Sequence, residues 1–293
     1  MKRTAPIFIL AAGSLWGLMG IFVRRLETYH FTSLQIAALR IITGAIIFLA
    51  AASFKDRTLL KIRPRDILWF LGTGIASILL FTICYFQTIS MASLSVAAIL
   101  LYTAPIMVML MSLVLFKEKL TRHKTTALLM AFLGCILVTG IGGDGHTSAA
   151  AVVFGLISAF GYGLYSILGT FVLKRYPPVT VTTYTFLCGG IGALLICNPA
   201  DIGRKILTAP DTANVLGLIF LTAVVTAVLP YLLYTIGLSS VKASSASIMA
   251  SVEPVVATIA GAVVFGEELS LPSLAGVALV VLAIVTLNIH AEG

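Results

Sequence analysis

Two ionisable side chains stand inside long apolar runs of this chain: Glu253 in SVEPVVATIA and Arg40 in AALRIITG. At bilayer depth such a group costs roughly 3 kcal/mol on insertion scales, which makes each a candidate for function. A carboxylate there can hold a substrate ammonium or exchange a proton as access alternates, and a guanidinium can clamp a carboxylate. Each also has a structural reading. Glu253 can bond neighbouring hydroxyls and shape a Glu-Pro helix break, a reading of equal weight. Arg40 lies about two turns from the end of its run, so it can anchor at a headgroup or helix end, or pack on neighbouring carbonyls. For Arg40 the anchor is slightly favoured.

Aromatic residues with polar tips recur around these two. Ser158, Tyr162, Tyr165 and Gly169 fall at i, i+4, i+7 and i+11, one stripe of a helix. Phe81 and Tyr85 form a second stripe, Tyr231 and Tyr234 follow Pro230, and Trp16 and Tyr102 lie in mid-run. Together they can stack on an apolar or aromatic substrate and offer a few hydroxyls. The competing reading is an interfacial belt, which suits Tyr85 and Tyr234 but not the mid-run Trp16 and Tyr102. A single mid-run aromatic is more often packing than ligand. Pro105, Pro230 and Pro254 free the carbonyls of Leu101, Thr226 and Ala250 and are candidate helix-break or gating positions, although prolines are ordinary in membrane helices. Gly13 and Gly17, and Ser247 and Ser251, have the spacing of close helix contacts. Packing is the default for those, with Ser251 kept as a contact beside Glu253. The candidate substrate-binding set is therefore Trp16, Arg40, Tyr102, Tyr162, Tyr165, Tyr231, Ser251 and Glu253, with no catalytic residue.

The elements that must position them are membrane spans. The chain is 59% hydrophobic and only 10% charged, where a soluble protein carries about a quarter charged. Apolar runs long enough to span fall at about 5–23, 33–53, 67–87, 94–116, 125–141, 148–173, 179–197, 214–237, 243–265 and 271–290. Charge and turn formers collect in the joints, such as KDRTLLKIRPRD at 55–66 and GGDGH at 142–146. An all-α integral membrane protein of ten spans follows, with the first run retained as a span rather than read as a signal peptide.

The net charge of +8 does not mark a nucleic-acid binder, because the bases sit in alternate joints. With the N-terminus cytoplasmic, Lys2, Arg3, Lys55, Arg57, Lys61, Arg63, Arg65, Lys117, Lys119, Arg122, Lys124, Lys174, Arg175 and Lys242 lie inside. Arg24, Arg25, Arg204 and Lys205 lie outside. That asymmetry places both termini in the cytoplasm. Cys84, Cys135, Cys188 and Cys197 read as small buried residues rather than disulfides or metal ligands. His30, His123, His146 and His290 are dispersed near span ends, so no metal site is expected, and no cofactor is implied. No phosphate-binding loop or nucleophile elbow supports ATP-driven transport or hydrolysis. An integral-membrane enzyme on lipid-linked substrates would need an acidic or histidine cluster at the surface, and only scattered residues are present.

The chain is also duplicated. Tyr85–Thr121 aligns without a gap to Tyr234–Ser270 at an offset of 149 residues. Ser95 pairs with Ser244, Pro105 with Pro254, Phe116 with Phe265 and Glu118 with Glu267, and more weakly Trp16 with Tyr165. Five spans per half invert the second copy, dividing the chain into repeats 1–144 and 145–293. The change from Lys117-Glu118-Lys119 to Gly266-Glu267-Glu268 fits loops on opposite sides. Glu118 and Glu267 read as anchors of helix ends and loops. The mates of Glu253, Arg40 and Ser251 are Ala104, Gly189 and Tyr102, so any charged role is asymmetric.

Ten spans in a 5+5 arrangement, a proline with a glutamate thirteen residues later in spans four and nine, and Arg40 in span two resemble the EamA group of the drug/metabolite transporter superfamily. The resemblance implies a central cavity lined by both halves, alternating access, and export of amino acids or other small metabolites. The expected protein is a secondary transporter of the cytoplasmic membrane, not an enzyme. It exports a small amphipathic metabolite, most favourably an amino acid or related compound, with protons as a possible coupling ion through Glu253. Its expected partners are the lipid bilayer and that substrate. The alternative is a passive facilitator or channel. Oligomeric state is left open.

Overall fold

The computed structural model describes residues 4–140 and 148–289, and all regular elements among the described residues are helical. Lys2, Arg3, Asp144, His146 and His290 lie outside the described residues. The long helices are α1 (Ala5–Glu27), α2 (Ser33–Lys55), α3 (Pro64–Met91), α4 (Leu94–Leu115), α5 (Arg122–Thr139), α6 (Ala149–Val172), α7 (Pro178–Ile196), α8 (Thr212–Leu238), α9 (Ala243–Phe265) and α10 (Leu271–Ile289). A short helix, Pro199–Leu207, joins α7 to α8. Eight of them are long and apolar enough to cross a membrane, and α5 and α10 are not. The first turn of α5 is Arg122-His123-Lys124, which dilutes its apolar run, and the apolar part of α10 is the shorter Leu271–Leu287. By length and composition, eight of the ten expected spans meet this measure among the described residues.

Polar residues start the helices. Thr32 and Gln35 form a capping box at α2, and Ser93, Thr121 and Ser148 accept backbone N–H groups at α4, α5 and α6. Three helices are broken in mid-length: α1 at Leu18, α4 at Tyr102–Thr103 and α9 at Ser251. The breaks in α4 and α9 precede Pro105 and Pro254, whose missing N–H groups leave the ladder unfinished. Instead of breaking, α3 and α8 carry π-helical segments, Gly72–Leu79 and Val224–Val228. At the 149-residue offset the second falls on residues 75–79, within the first.

Side-chain volume fixes the packing. α1 packs on α8 and α9, α6 packs on α3 and α4, α2 lies against α7, and α5 against α10. Gly17 brings α1 onto the backbone of α9: a β-carbon there would fall 2.6 Å from the Glu253 carbonyl and 2.8 Å from Val256 Cβ. Gly13 lies similarly over the Ala250 carbonyl, in line with the small-residue spacing. Between the ends of α3 and α6 sits a buried acid that the sequence did not single out. Asp66 accepts from Arg175 Nη1 at 2.9 Å and from the Tyr176 hydroxyl at 2.6 Å. All four cysteines are free and buried.

Candidate functional site

The break and the π-helical segments turn aromatic side chains of four helices toward one point. Trp16 of α1, Ser77, Ile78 and Phe81 of α3, Tyr162, Tyr165 and Ser166 of α6, and Tyr231 and Tyr234 of α8 line a single chamber. Its free space holds about one water molecule. Trp16 stands at its centre, with ring centroids 5.2 Å from Tyr231, 5.4 Å from Tyr234 and 6.3 Å from Tyr162. Tyr165, the repeat mate of Trp16, approaches the same two rings, at 5.2 Å from Tyr231 and 6.2 Å from Tyr234. These are mostly edge-to-face and tilted contacts, which suit the ring quadrupoles.

The hydroxyls are tied down. Tyr165 bonds Thr235 at 2.6 Å, Tyr234 bonds Ser166 at 2.7 Å, and Ser77 Oγ donates to the Gly161 carbonyl at 2.7 Å. The rings are therefore held by polar contacts behind them and present mainly apolar faces to the chamber. Tyr234, open above to both a substrate-wall and an interfacial-belt reading, is buried in this cluster.

The charged residues flank the chamber. The Tyr162 hydroxyl donates to Glu253 Oε2 at 3.3 Å, linking the carboxylate to one wall. Glu253 is half-buried and opens the second segment of α9, Val252–Phe265, where the helix N-terminus favours negative charge. On the other side Arg40 lines an adjoining hollow with Ile78, Phe81, Thr82, Phe186 and Tyr231. Ile78, Phe81 and Tyr231 belong to both spaces. Arg40 Nη2 donates to the Thr226 carbonyl at 2.8 Å, the carbonyl to which Pro230 offers no N–H. Its Nε is buried without a hydrogen-bond partner. Among the described residues it forms no ion pair with a carboxylate. Packing on a carbonyl, one of the readings above, is thus observed, and the outer anchor is not.

The structure does not gather all the predicted residues. Trp16, Tyr162, Tyr165 and Tyr231 meet in the chamber and Arg40 and Glu253 stand beside it, while Tyr102 does not line it but lies on the Glu253 side, within electrostatic reach of Glu253 and Tyr162. It packs with Cys135, Val255 and Ile284 between α4, α5, α9 and α10. Ser251, its repeat mate, is buried on the same side, near the Cys135 thiol. Of the prolines, Pro105 and Pro254 follow broken helices, while Pro230 follows a π-helical segment. Ser77, Ser166, Phe186 and Thr235 were not singled out. For Ser77 a signal existed, since it is the repeat mate of Thr226. Among the described residues no group of three or more His, Cys, Asp or Glu side chains is placed to hold a metal ion.

Known proteins agree with this architecture. The sequence model of the EamA-like transporter family matches residues 3–140 and again 149–289. An uncharacterized transporter of Archaeoglobus fulgidus is 28% identical over 285 residues, covering 95% of this chain and 94% of that protein. A second from the same organism is 24% identical over 275 residues, covering 92% and 94%. The uncharacterized transporter YdfC of Bacillus subtilis is 28% identical over 280 residues, covering 94% and 88%. A solved crystal structure superposes with a TM-score of 0.82 at 18% identity, covering 100% of this chain and 99% of that one, a likeness of fold alone. With apolar helices able to span a membrane and a family match in both halves of the sequence, the chain belongs to the EamA-like transporter family.

Proposed function

We propose that this membrane transporter works by alternating access, exporting a small amphipathic metabolite, most favourably an amino acid or related compound, across the cytoplasmic membrane. The observation that carries the reading is the chamber itself: an aromatic box with an unpaired guanidinium nitrogen on one flank and a carboxylate on the other. A zwitterion with an apolar side chain matches that order of groups, its carboxylate toward Arg40, its ammonium toward Glu253 and its side chain against Trp16, Tyr165 and Tyr231.

The packing supports two inverted halves, 1–144 and 145–293, with ten crossings, and the distribution of Lys and Arg over the joints supports cytoplasmic termini. Under the 149-residue offset, α1 on α8 and α9 corresponds to α6 on α3 and α4, which is the exchange an inverted repeat requires. α5 and α10, which pair with each other, complete the count. The chamber lies between these two helix groups, where rocking of one against the other would open it to either side. Glu253 is the acid that would exchange a proton during that cycle.

Two measurements test this. Purified protein screened by thermal shift should be stabilised by an amphipathic zwitterion, and Trp16→Leu should abolish the shift. In vesicles, Glu253→Gln should lose the dependence of transport on a pH gradient. Equal rates and equal gradient dependence in that variant and the native chain would remove protons from the mechanism.

A further inference from the structure

Glu118 and Glu267 are repeat mates, and the turns that carry them share two backbone features. Each follows a residue in the left-handed region, Lys117 at φ 53° and Gly266 at φ 69°. Each backbone N–H donates to the carbonyl six residues earlier, Ser112 or Gly261, at 3.3 Å in both cases. The preceding phenylalanines also carry a cation, Lys174 Nζ lying 5.8 Å from the Phe116 ring and Arg24 4.3 Å from Phe265. The two turns are one device used at opposite ends of α9, one beside its start and one past its finish.

Their side chains differ. Glu118 crosses from α4 to the first turn of α9, where it accepts from Ser244 Oγ, and Lys124 Nζ bonds both partners at 2.9 Å. This clasp is nearly dry, with side chains 13% and 9% exposed for Lys124 and Glu118. The mate of Ser244 is Ser95, in the first turn of α4. Glu267 does not reach it. Glu267 instead takes Arg24 of α1 at 2.6 Å, in a pair whose side chains are 52% and 48% exposed, and Ser95 is half-buried. Helix packing shows the same imbalance. The first segment of α9, Ala243–Ala250, packs on the second of α4, Ala104–Leu115, and the converse pairing has no comparable contact.

In a transporter of inverted repeats, the opposite-facing state has each half in the conformation the other now holds. We infer that Ser95 and Glu267 form the closing contact of that state, and that the Glu118–Ser244–Lys124 clasp is the contact that must release to reach it. The two serines are alternate partners of one paired device, engaged at one end and open at the other. This inference rests on the alternating-access reading and adds to it the residues that count out the two states.

Disulfide trapping tests it in vesicles without substrate, with the four buried native cysteines retained and single-cysteine variants as controls. Glu118→Cys with Ser244→Cys should cross-link rapidly in the resting protein. Ser95→Cys with Glu267→Cys should cross-link slowly, and several-fold faster when Lys124→Met weakens the opposite clasp. A Ser95–Glu267 pair that never links, or links equally with and without Lys124→Met, overturns the inference. A fold-independent check uses Lys124→Met alone in hydrogen exchange. Protection should fall around 243–250 and rise around 93–99 and 262–268, whereas a simultaneous fall at both ends would mean general loosening and would also overturn it. Trapping as expected in a protein that no metabolite stabilises would leave the clasps intact and remove the substrate reading instead.

Discussion

The guanidinium of Arg40 donates to the carbonyl of Thr226 at 2.8 Å, and Pro230 stands four residues further along the same helix. A base from one helix thus meets a carbonyl that the proline of another cannot bond. Replacing Arg40 by Met should lower stability by roughly 1–2 kcal/mol, the range for a buried charge-assisted hydrogen bond inside a bundle. Pro230→Ala restores an N–H to the turn, so the double variant should lose less than the two single losses added together. Reversible unfolding in mixed detergent measures this, and strictly additive losses would show that the two residues are uncoupled.

Trp16 and Trp69 are the two tryptophans of the chain, so Trp69→Phe leaves Trp16 as the sole reporter of the chamber. Its emission should shift when a ligand enters, because the ring is buried among Tyr162, Tyr231 and Tyr234. Tyr234→Phe keeps the ring and loses only the Ser166 bond, at a cost of about 1 kcal/mol. Trp16→Leu removes the ring contacts and should cost more. An emission spectrum indifferent to every stabilising ligand would place binding outside the chamber.

Close approach of α1 to α9 makes Gly17 far less replaceable than Gly20. A methyl group at Gly17 meets the Glu253 carbonyl and Val256, whereas at Gly20 nothing lies within 4 Å. Gly17→Ala should destabilise by roughly 1–3 kcal/mol through overpacking, and Gly20→Ala should be neutral or gain up to about 1 kcal/mol in helix propensity. Thermal melts should place Gly17→Ala below the native value and Gly20→Ala at or above it.

Outside the membrane-spanning segments, Asp201 offers a pH test. Hydrogen bonds from Gln35, Arg204 and Lys205 hold its carboxyl down at about 2, below the usual carboxylate range. A depressed carboxylate contributes stability above its unfolded pKa of about 4 and loses it as pH falls through the folded value. The melting difference between the native chain and Asp201→Asn should therefore be constant at neutral pH and shrink from about pH 4 toward pH 2. A difference unchanged over that interval would mean that the Asp201 contacts do not stabilise the fold.

How far the sequence carried can be judged residue by residue. The Ser158–Tyr162–Tyr165 stripe pointed inward because α6 is a regular helix, for which a 3.6-residue period is the right ruler. Tyr234 is open to two sequence readings, substrate wall or interfacial belt, because it lies near the end of its run, and its burial in the chamber supports the first. Tyr102 stands on the Glu253 side rather than in the chamber lining, and its direction depends on the geometry of the α4 break, which a proline announces without specifying. Arg40 packing on a carbonyl and Pro230 freeing the Thr226 carbonyl were each legible. Their meeting depends on α2 lying against α8, a contact between residues 186 positions apart. The clasp of Glu118 with Ser244 joins residues 126 apart, and only the repeat alignment hinted that the two positions matter.

The π-helical segments of α3 and α8 carry a consequence for how this chain tolerates change. A π turn holds one residue more than an α turn, and one residue is about 100° of rotation around a helix. Deleting a single residue from Gly72–Leu79 or Val224–Val228 would restore a regular helix and leave every aromatic type in place. Because the wide turn absorbs its extra residue, Phe81, or Tyr231 and Tyr234, would then keep nearly the direction they have now. A single-residue deletion inside either π-helical segment should therefore be tolerated far better than one in the regular turns beside it, which would rotate the aromatic wall by about 100°.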